Sequence, residues 1–260
     1  MRVFLGRLFT VVAVGQEWTP QMSGSTASLR GVSAVSAKVV WASGTKGTYL
    51  RTIDGGATWR AATVPGAADL DFRAIRAVDE QTVYLLSIGN GEKSRVYKTG
   101  DGGASWNLLL KNANPKGFFD ALAFWDAMHG ILLGDPVNGH FVVLTTSDGG
   151  QNWKRQKGPQ ALNEGAFAAS NSCLVLRGAR EAWFGTGGAR VFHSTDGGET
   201  WSVAKTPMRN NGMSSGIFSL SFADGERGIA VGGDYKKPQE IFGNFAVTEA
   251  RPGLCRSVFR

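Results

Sequence analysis

From Leu29 to Glu249 the apolar positions come in short runs, broken by turns rich in Gly, Asp and Asn. The runs arrive in groups. Two of them flank a polar turn in "LRGVSAVSAKVVWASG" (29–44), and the pattern returns in "FRAIRAVDEQTVYLLSIG" (72–89) and "FFDALAFWDAMHGILLGD" (118–135). It returns again in "AREAWFGTGG" (179–188) and "IFSLSFADGERGIAVGGD" (217–234). A third run follows in each of the first four groups: "GTYLRT", "SRVYKT", "HFVVLTT" and "RVFHS". After a Gly-Gly turn and a tryptophan comes a short outer segment such as "WRAATV" (59–64) or "WNLLLK" (106–111). Apolar runs of this length between turn residues read as β-strands. Each group is therefore four strands in a meander, which is a propeller blade, and the chain is all-β with about five blades.

The turn between the third and fourth strands is nearly invariant. It reads "TIDGGATW" (52–59), "TGDGGASW" (99–106), "TSDGGQNW" (146–153) and "STDGGETW" (194–201), with its acids 47, 47 and 48 residues apart. Repetition at this period marks propellers and solenoids. The glycine pair permits positive φ, and the carboxylate can accept bonds from the N–H groups of its own turn. The Ser or Thr two places earlier joins that local network. The tryptophan is expected to pack between sheets, burying roughly 150–250 Å². We therefore expect scaffolding from Asp54, Gly56, Trp59, Asp101, Gly103 and Trp106, and equally from Asp148, Gly150, Trp153, Asp196, Gly198 and Trp201.

The box [ST]-x-D-G-G-x-x-W resembles the Asp-box (BNR) repeat of sialidases and other extracellular glycosidases. In period and strand runs, about residues 17–249 are more similar to the photosystem II stability/assembly-factor-like propellers. That resemblance implies an exported, seven-bladed parent that binds protein during assembly of membrane complexes, without catalysis or a cofactor.

The ends depart from the repeat. "MRVFLGRLFTVVAVG" (1–15) reads as a signal peptide, with Arg2 and Arg7 before a short apolar run and Ala13-x-Gly15 as a cleavage site. The product would be periplasmic or secreted. Neither this run nor any later one is long enough for a membrane span. The fifth group should reach its own box near Ala250, but residues 250–260 read "ARPGLCRSVFR". We expect this tail to be a frameshift or truncation inside a longer gene. "EWTPQMSG" (17–24) looks like a segment that follows a box. Two arrangements are open: an open arc of five blades, or a ring in which residues 17–21 complete the fifth. The resemblance favours the arc.

Charge changes little. The formal +7 includes Arg2, Arg7, Arg251, Arg256 and Arg260; without them 23 basic residues face 21 acids, so the body is close to neutral and gives no reason to invoke nucleic acid. With 36 glycines, eight tryptophans and two cysteines, the composition suits tight turns rather than a disulfide-stapled fold. Cys173 is expected as a buried lone thiol, and His129, His140 and His193 show no metal-ligand spacing. "GTGGAR" (185–190) joins two strands with no following helix, which argues against a dinucleotide loop.

With the boxes on one face, binding residues should occupy the loops of the other. The candidates are Asp71, Arg73, Lys116, Asp120, Asp135 and His140, followed by Glu164, Arg190, Asp234, Tyr235 and Lys236. A protein partner, and a membrane-associated complex in particular, is the expectation. The alternative is a sialidase- or glycosidase-like hydrolase with glycan as ligand, which would need two carboxylates about 5–10 Å apart. Asp135 with Asp234 is one such pairing.

Overall fold

The computed structural model describes residues 19–169, 171–225, 227–249 and 258–259. The signal-peptide reading, Glu17, Trp18, and residues 250–257 of the tail, including Cys255, fall outside them.

The strands form five antiparallel four-stranded sheets, each a simple meander. The first holds β1 (Leu29–Ala34), β2 (Val40–Gly44), β3 (Thr48–Thr52) and β4 (Arg60–Thr63). The second holds β5 (Asp71–Ala77), β6 (Val83–Ile88), β7 (Arg95–Thr99) and β8 (Asn107–Lys111). The third holds β9 (Phe119–Phe124), β10 (Gly130–Val137), β11 (His140–Thr146) and β12 (Lys154–Arg155). The fourth holds β13 (Leu174–Arg177), β14 (Glu181–Gly185), β15 (Arg190–Ser194) and β16 (Ser202–Lys205). The fifth holds β17 (Ser215–Phe222), β18 (Gly228–Asp234), β19 (Phe245–Glu249) and β20 (Val258–Phe259). Every recurrent acidic turn lies between third and fourth strands, as the sequence predicts.

First strands touch in succession, β1 to β5, β5 to β9, β9 to β13 and β13 to β17, which sets them at the axis. The outer strand β4 is exposed throughout. In the second to fourth sheets the second strands are covered on both faces by neighbouring sheets. That is why β6, "VYLLSI", is apolar without alternation and buried along nearly its whole length. Separate cores fill the spaces between sheets. Tyr84 stacks on Phe124 at 4.0 Å between the second and third, Phe141 meets Phe184 edge-on at 5.1 Å between the third and fourth, and Trp183 stacks on Phe222 at 4.6 Å between the fourth and fifth. Beyond the fifth sheet, the cross-strand pairs Ile229–Val247 and Val231–Phe245 keep an apolar face exposed. Among the described residues no backbone hydrogen bond links the fifth sheet to the first.

The boxes are built alike. Thr52 Oγ1 donates to Asp54 Oδ1 at 2.8 Å while accepting from Gly56 N at 2.9 Å. Thr58 donates to the same carboxylate through its N–H at 2.9 Å and its hydroxyl at 2.6 Å. Residues 99–105, 146–152 and 194–200 repeat the network. The first glycine's N–H reaches the turn between first and second strands of its own sheet: Gly55 to Lys38 O, Gly102 to Gln81 O, Gly149 to Met128 O and Gly197 to Arg180 O. The hairpin's outer side then meets the preceding sheet. Tyr49 Oη donates to Gly103 O at 2.8 Å, and Tyr84 Oη to Gly149 O at 2.9 Å. Gly150, at φ +87°, sits where a Cβ would lie 2.9 Å from Leu109. A side chain there would meet both backbone strain and a neighbouring sheet.

The tryptophans serve the same joints. Trp106, Trp153 and Trp201 border the cores shared with the preceding sheet. Trp59, in the first box, donates to Gln21 Oε1 at 2.9 Å, and Gln21 Nε2 donates to Gly55 O at 3.2 Å. Gln21 thus stands where an earlier sheet would. This corrects the arrangement that carries residues 17–21 to the fifth sheet, whose fourth strand is instead Val258–Phe259. The amide of Gln21 supplies both the donor and the acceptor that the first box leaves open.

Two predictions follow from the joints. Tyr84→Phe leaves Gly149 O still bonded by Lys98 Nζ at 3.2 Å, so it should cost only about 1 kcal/mol in denaturant unfolding. The Thr58 hydroxyl and N–H, with the Thr52 hydroxyl, hold the Asp54 carboxyl down at about 2. The Asn152 N–H and side-chain amide hold Asp148 at about 2. Depressed carboxyls contribute stability that is complete above their unfolded value and lost as pH falls through the folded one. The part of the thermal midpoint that the boxes supply should therefore be constant from pH 7 to about 5 and be lost from about pH 4 towards 2. Asp148→Asn should make that acid slope shallower.

Candidate functional site: an axial cavity opposite the boxes

A cavity of about 870 Å³ opens on the face away from the boxes, and all five sheets reach it. The first sends Arg30, the second Arg73, the third Asp120 and Asp135, the fourth Gly187 and Gly188, and the fifth Phe218 and Tyr235. The segment 162–169, between the third and fourth sheets, forms one wall.

That wall is pinned by a buried ion pair. Glu164 meets Arg190, and it also accepts from Thr186 Oγ1, from Gly188 N at 3.1 Å and from Leu162 N at 3.2 Å. Burial pushes the Glu164 carboxyl up, but the bonds from Arg190, Thr186 and Leu162 outweigh it and leave the group below its ordinary range. Arg190 donates onward to Gln160 O at 2.9 Å and lies 4.6 Å over the Phe192 ring. Both side chains are committed to holding the loop. Across the cavity, Arg73 is bound by Asp71 at 2.9 Å and donates to Ala168 O at 3.2 Å, tying the second sheet to the same wall.

Asp120 and Asp135 are placed differently. Asp120, near the start of β9, is 1 % exposed, and its Oδ2 is buried without a hydrogen-bond partner. Burial drives its carboxyl well above the ordinary range, and the charge of Asp135 adds to the effect. Asp135 sits in β10 where the register shifts between Gly134 and Val137. Burial raises it too, opposed by one bond from Ala166 N at 3.1 Å. Gly165 makes room: a Cβ there would lie 2.5 Å from Asp135 Oδ1. Beside them Phe167 meets Phe218 edge-on at 4.7 Å and Tyr235 at 6.4 Å.

Of the sequence candidates, Arg73, Asp120, Asp135, Glu164 and Tyr235 line the cavity, with Asp71 and Arg190 behind two of them. The others do not join. Lys116 and Lys236 are exposed in turns. His140 borders a separate groove with Gln160 and Trp201. Asp234 caps its own turn through Lys236 N at 3.0 Å, and the Ser214 hydroxyl leads the bonds that lower it. Of the acids that could converge, the cavity brings Asp135 to Asp120 and leaves Asp234 in its own turn. Phe167, Phe218, Met213 and Asn210 escaped the sequence reading. The available signal was a large aromatic residue within "EGAFAAS", an otherwise small and polar connection.

Cys173 is free and buried, its thiol pushed up by burial and by the charges of Asp120 and Asp135. His193 stacks on Trp183 at 4.4 Å, and His129 pairs with Asp126. Among the described residues no three His, Cys, Asp or Glu side chains could hold a metal ion together, and no helix is long and apolar enough to cross a membrane.

Residues 192–203, the fourth box with its flanks, match the BNR/Asp-box repeat family. The chain thus carries an Asp-box repeat on a β-propeller fold. Solved propellers share its architecture. An ancestral GH74 enzyme is 16% identical at a TM-score of 0.60, covering 95% of this chain and 33% of its own. The GH74 xyloglucanase of Xanthomonas campestris is 13% identical at 0.57, covering 81% and 34%. This chain thus spans about a third of the length of those enzymes. YCF48 bound to D1 peptide is 16% identical at 0.43, covering 80% and 91%. No curated protein matches the chain in sequence. The Asp-box propeller carries its cavity on a wall that depends on one ion pair. Arg190→Met, which leaves Glu164 buried and unpaired, should cost about 3 kcal/mol or more in denaturant unfolding.

Proposed function

We propose that this chain is an exported binding propeller that takes a polypeptide segment of a protein partner into the axial cavity and performs no chemistry on it. The observation that carries the reading is the state of the acids there. Glycoside hydrolysis uses one carboxyl held protonated and a second held ionised. Among the described residues no set of donors holds a second carboxyl ionised beside Asp120: Asp135 has one bond, from Ala166 N, and Glu164 is engaged by Arg190, Thr186 and Gly188. The remaining lining sets Phe118, Leu162, Phe167, Met213 and Phe218 beside Arg30, Arg73, Asn163 and Asn210. Such a concave wall with a few placed polar groups suits recognition. Export rests on residues 1–15 and on the resemblance to lumenal and secreted propellers.

A hydrolase remains the second reading because two carboxyls share one cavity and GH74 enzymes share the architecture. A peptide array followed by titration calorimetry of the best binders tests the first. Saturable binding is expected, weakened about tenfold or more by Phe167→Ala. Turnover of a glycan panel that is lost in Asp120→Asn and Asp135→Asn would replace binding by hydrolysis.

A further inference from the structure

Asp120 Oδ2 is an acceptor inside a cavity, buried, and among the described residues no donor faces it. Nearby groups do not fill that need. Arg73 is held by Asp71 and Ala168, Arg190 by Glu164 and Gln160, and Arg30 is exposed. The neighbouring acid, Asp135, has one bond, from Ala166 N. A second feature lies along the same wall. Phe167, adjacent in sequence to Ala166, forms an edge-on cluster with Phe218 and Tyr235, and all three line the cavity.

We infer that the cavity selects an organic cation, an ammonium or guanidinium group borne by the bound segment, seated between the Asp120–Asp135 carboxyls and the Phe167–Phe218–Tyr235 cluster. The inference rests on the binding reading of this cavity and names the chemistry it recognises. A cationic N–H donor supplies what Asp120 Oδ2 lacks, in a charge-assisted bond stronger than a neutral one. Aromatic faces add attraction for the same charge where water is excluded. An anion would find Arg73 and Arg190 engaged, with Arg30 alone at the exposed rim, and two acids beside it. A bare metal ion would lack ligands, since no qualifying group of three exists among the described residues.

The free cavity has an exchange built into it. Burial and mutual repulsion favour the protonated acids, and an arriving cation displaces a proton. The charged or titratable groups facing this point are the Arg73–Asp71 and Arg190–Glu164 pairs, Arg30, Tyr235 and the Cys173 thiol. Binding should therefore strengthen as pH rises through the raised carboxyl values, and its heat should depend on the buffer's ionisation enthalpy.

The test uses the whole chain and three capped tripeptides, with lysine, Nε-acetyl-lysine or norleucine at the centre, titrated by calorimetry. The lysine peptide should bind about tenfold or more tighter than the other two. Asp120→Asn should erase that preference while leaving the affinity for norleucine unchanged. Asp135→Asn, with its thermal midpoint checked, serves if Asp120→Asn does not fold. Equal binding of all three peptides would overturn the cation inference and leave the binding reading intact. Binding of none of them, and of nothing on the array, would overturn both.

Discussion

The fold depends on one joint, the seating of an acidic hairpin against the sheet that precedes it. Each sheet is four short strands and has too little surface to bury on its own account. The hairpin gives successive sheets a fixed spacing because its carboxylate and hydroxyls satisfy the turn from within. Its outward carbonyls are then left for the neighbour's Tyr49, Tyr84, Arg51 and Lys98. The joints are not identical. The first two are polar, with tyrosine hydroxyls and cations on glycine carbonyls. Between the third and fourth sheets Trp125 donates to Glu181 O at 2.9 Å, and Ile131 packs where a Gly198 side chain would stand. Between the fourth and fifth, where no box is described, the stack of Trp183 on Phe222 is joined by a core of Val191, Met208, Ile217 and Leu220 and by backbone bonds from Ile217 N to Thr186 O and from Leu220 N to Ser172 O.

The joint was legible in the sequence because it is local. Asp, Gly-Gly and Trp sit within eight residues of one another, and the hydroxyl two places before the acid completes a network that needs no distant partner. Repetition at 47 or 48 residues then set the number of sheets. Strand runs were equally plain, since a strand covered on both faces is apolar at every position. Gln21 was not legible. Its place on the first box follows from what that box lacks, an earlier sheet, and a single glutamine carries no period.

The cavity was only half legible, for the opposite reason. Loops on the face away from the boxes could be located, but a loop residue's type does not tell which way its side chain turns. Asp234 bonds its own turn two residues on, as an Asx cap does. His140, in the same kind of position on another sheet, turns outward to a groove beside Trp201. Asp120 and Asp135 meet because β9 and β10 pair with a register shift near Gly134, a detail outside the reach of strand periodicity. Phe167 belongs to no strand, and its ring contacts, Phe218 and Tyr235, come from the fifth sheet much further along the chain.

The aspartates divide by face, and the division explains what each face can do. On the box side four carboxyls are exposed to solvent yet ringed by donors, which holds them ionised far into acid. On the cavity side two carboxyls are buried and short of donors, which favours the neutral form. Side-chain chemistry is the same, so the difference lies in burial, which raises the cavity pair, and in the supply of N–H and O–H groups, which lowers the box acids. A saturated carboxylate has no free lone pair to offer a ligand, and that makes the box side scaffold. An unsaturated one costs free energy until a donor arrives, and among the described residues Arg73 and Arg190 in the cavity wall are already bound to Asp71 and Glu164.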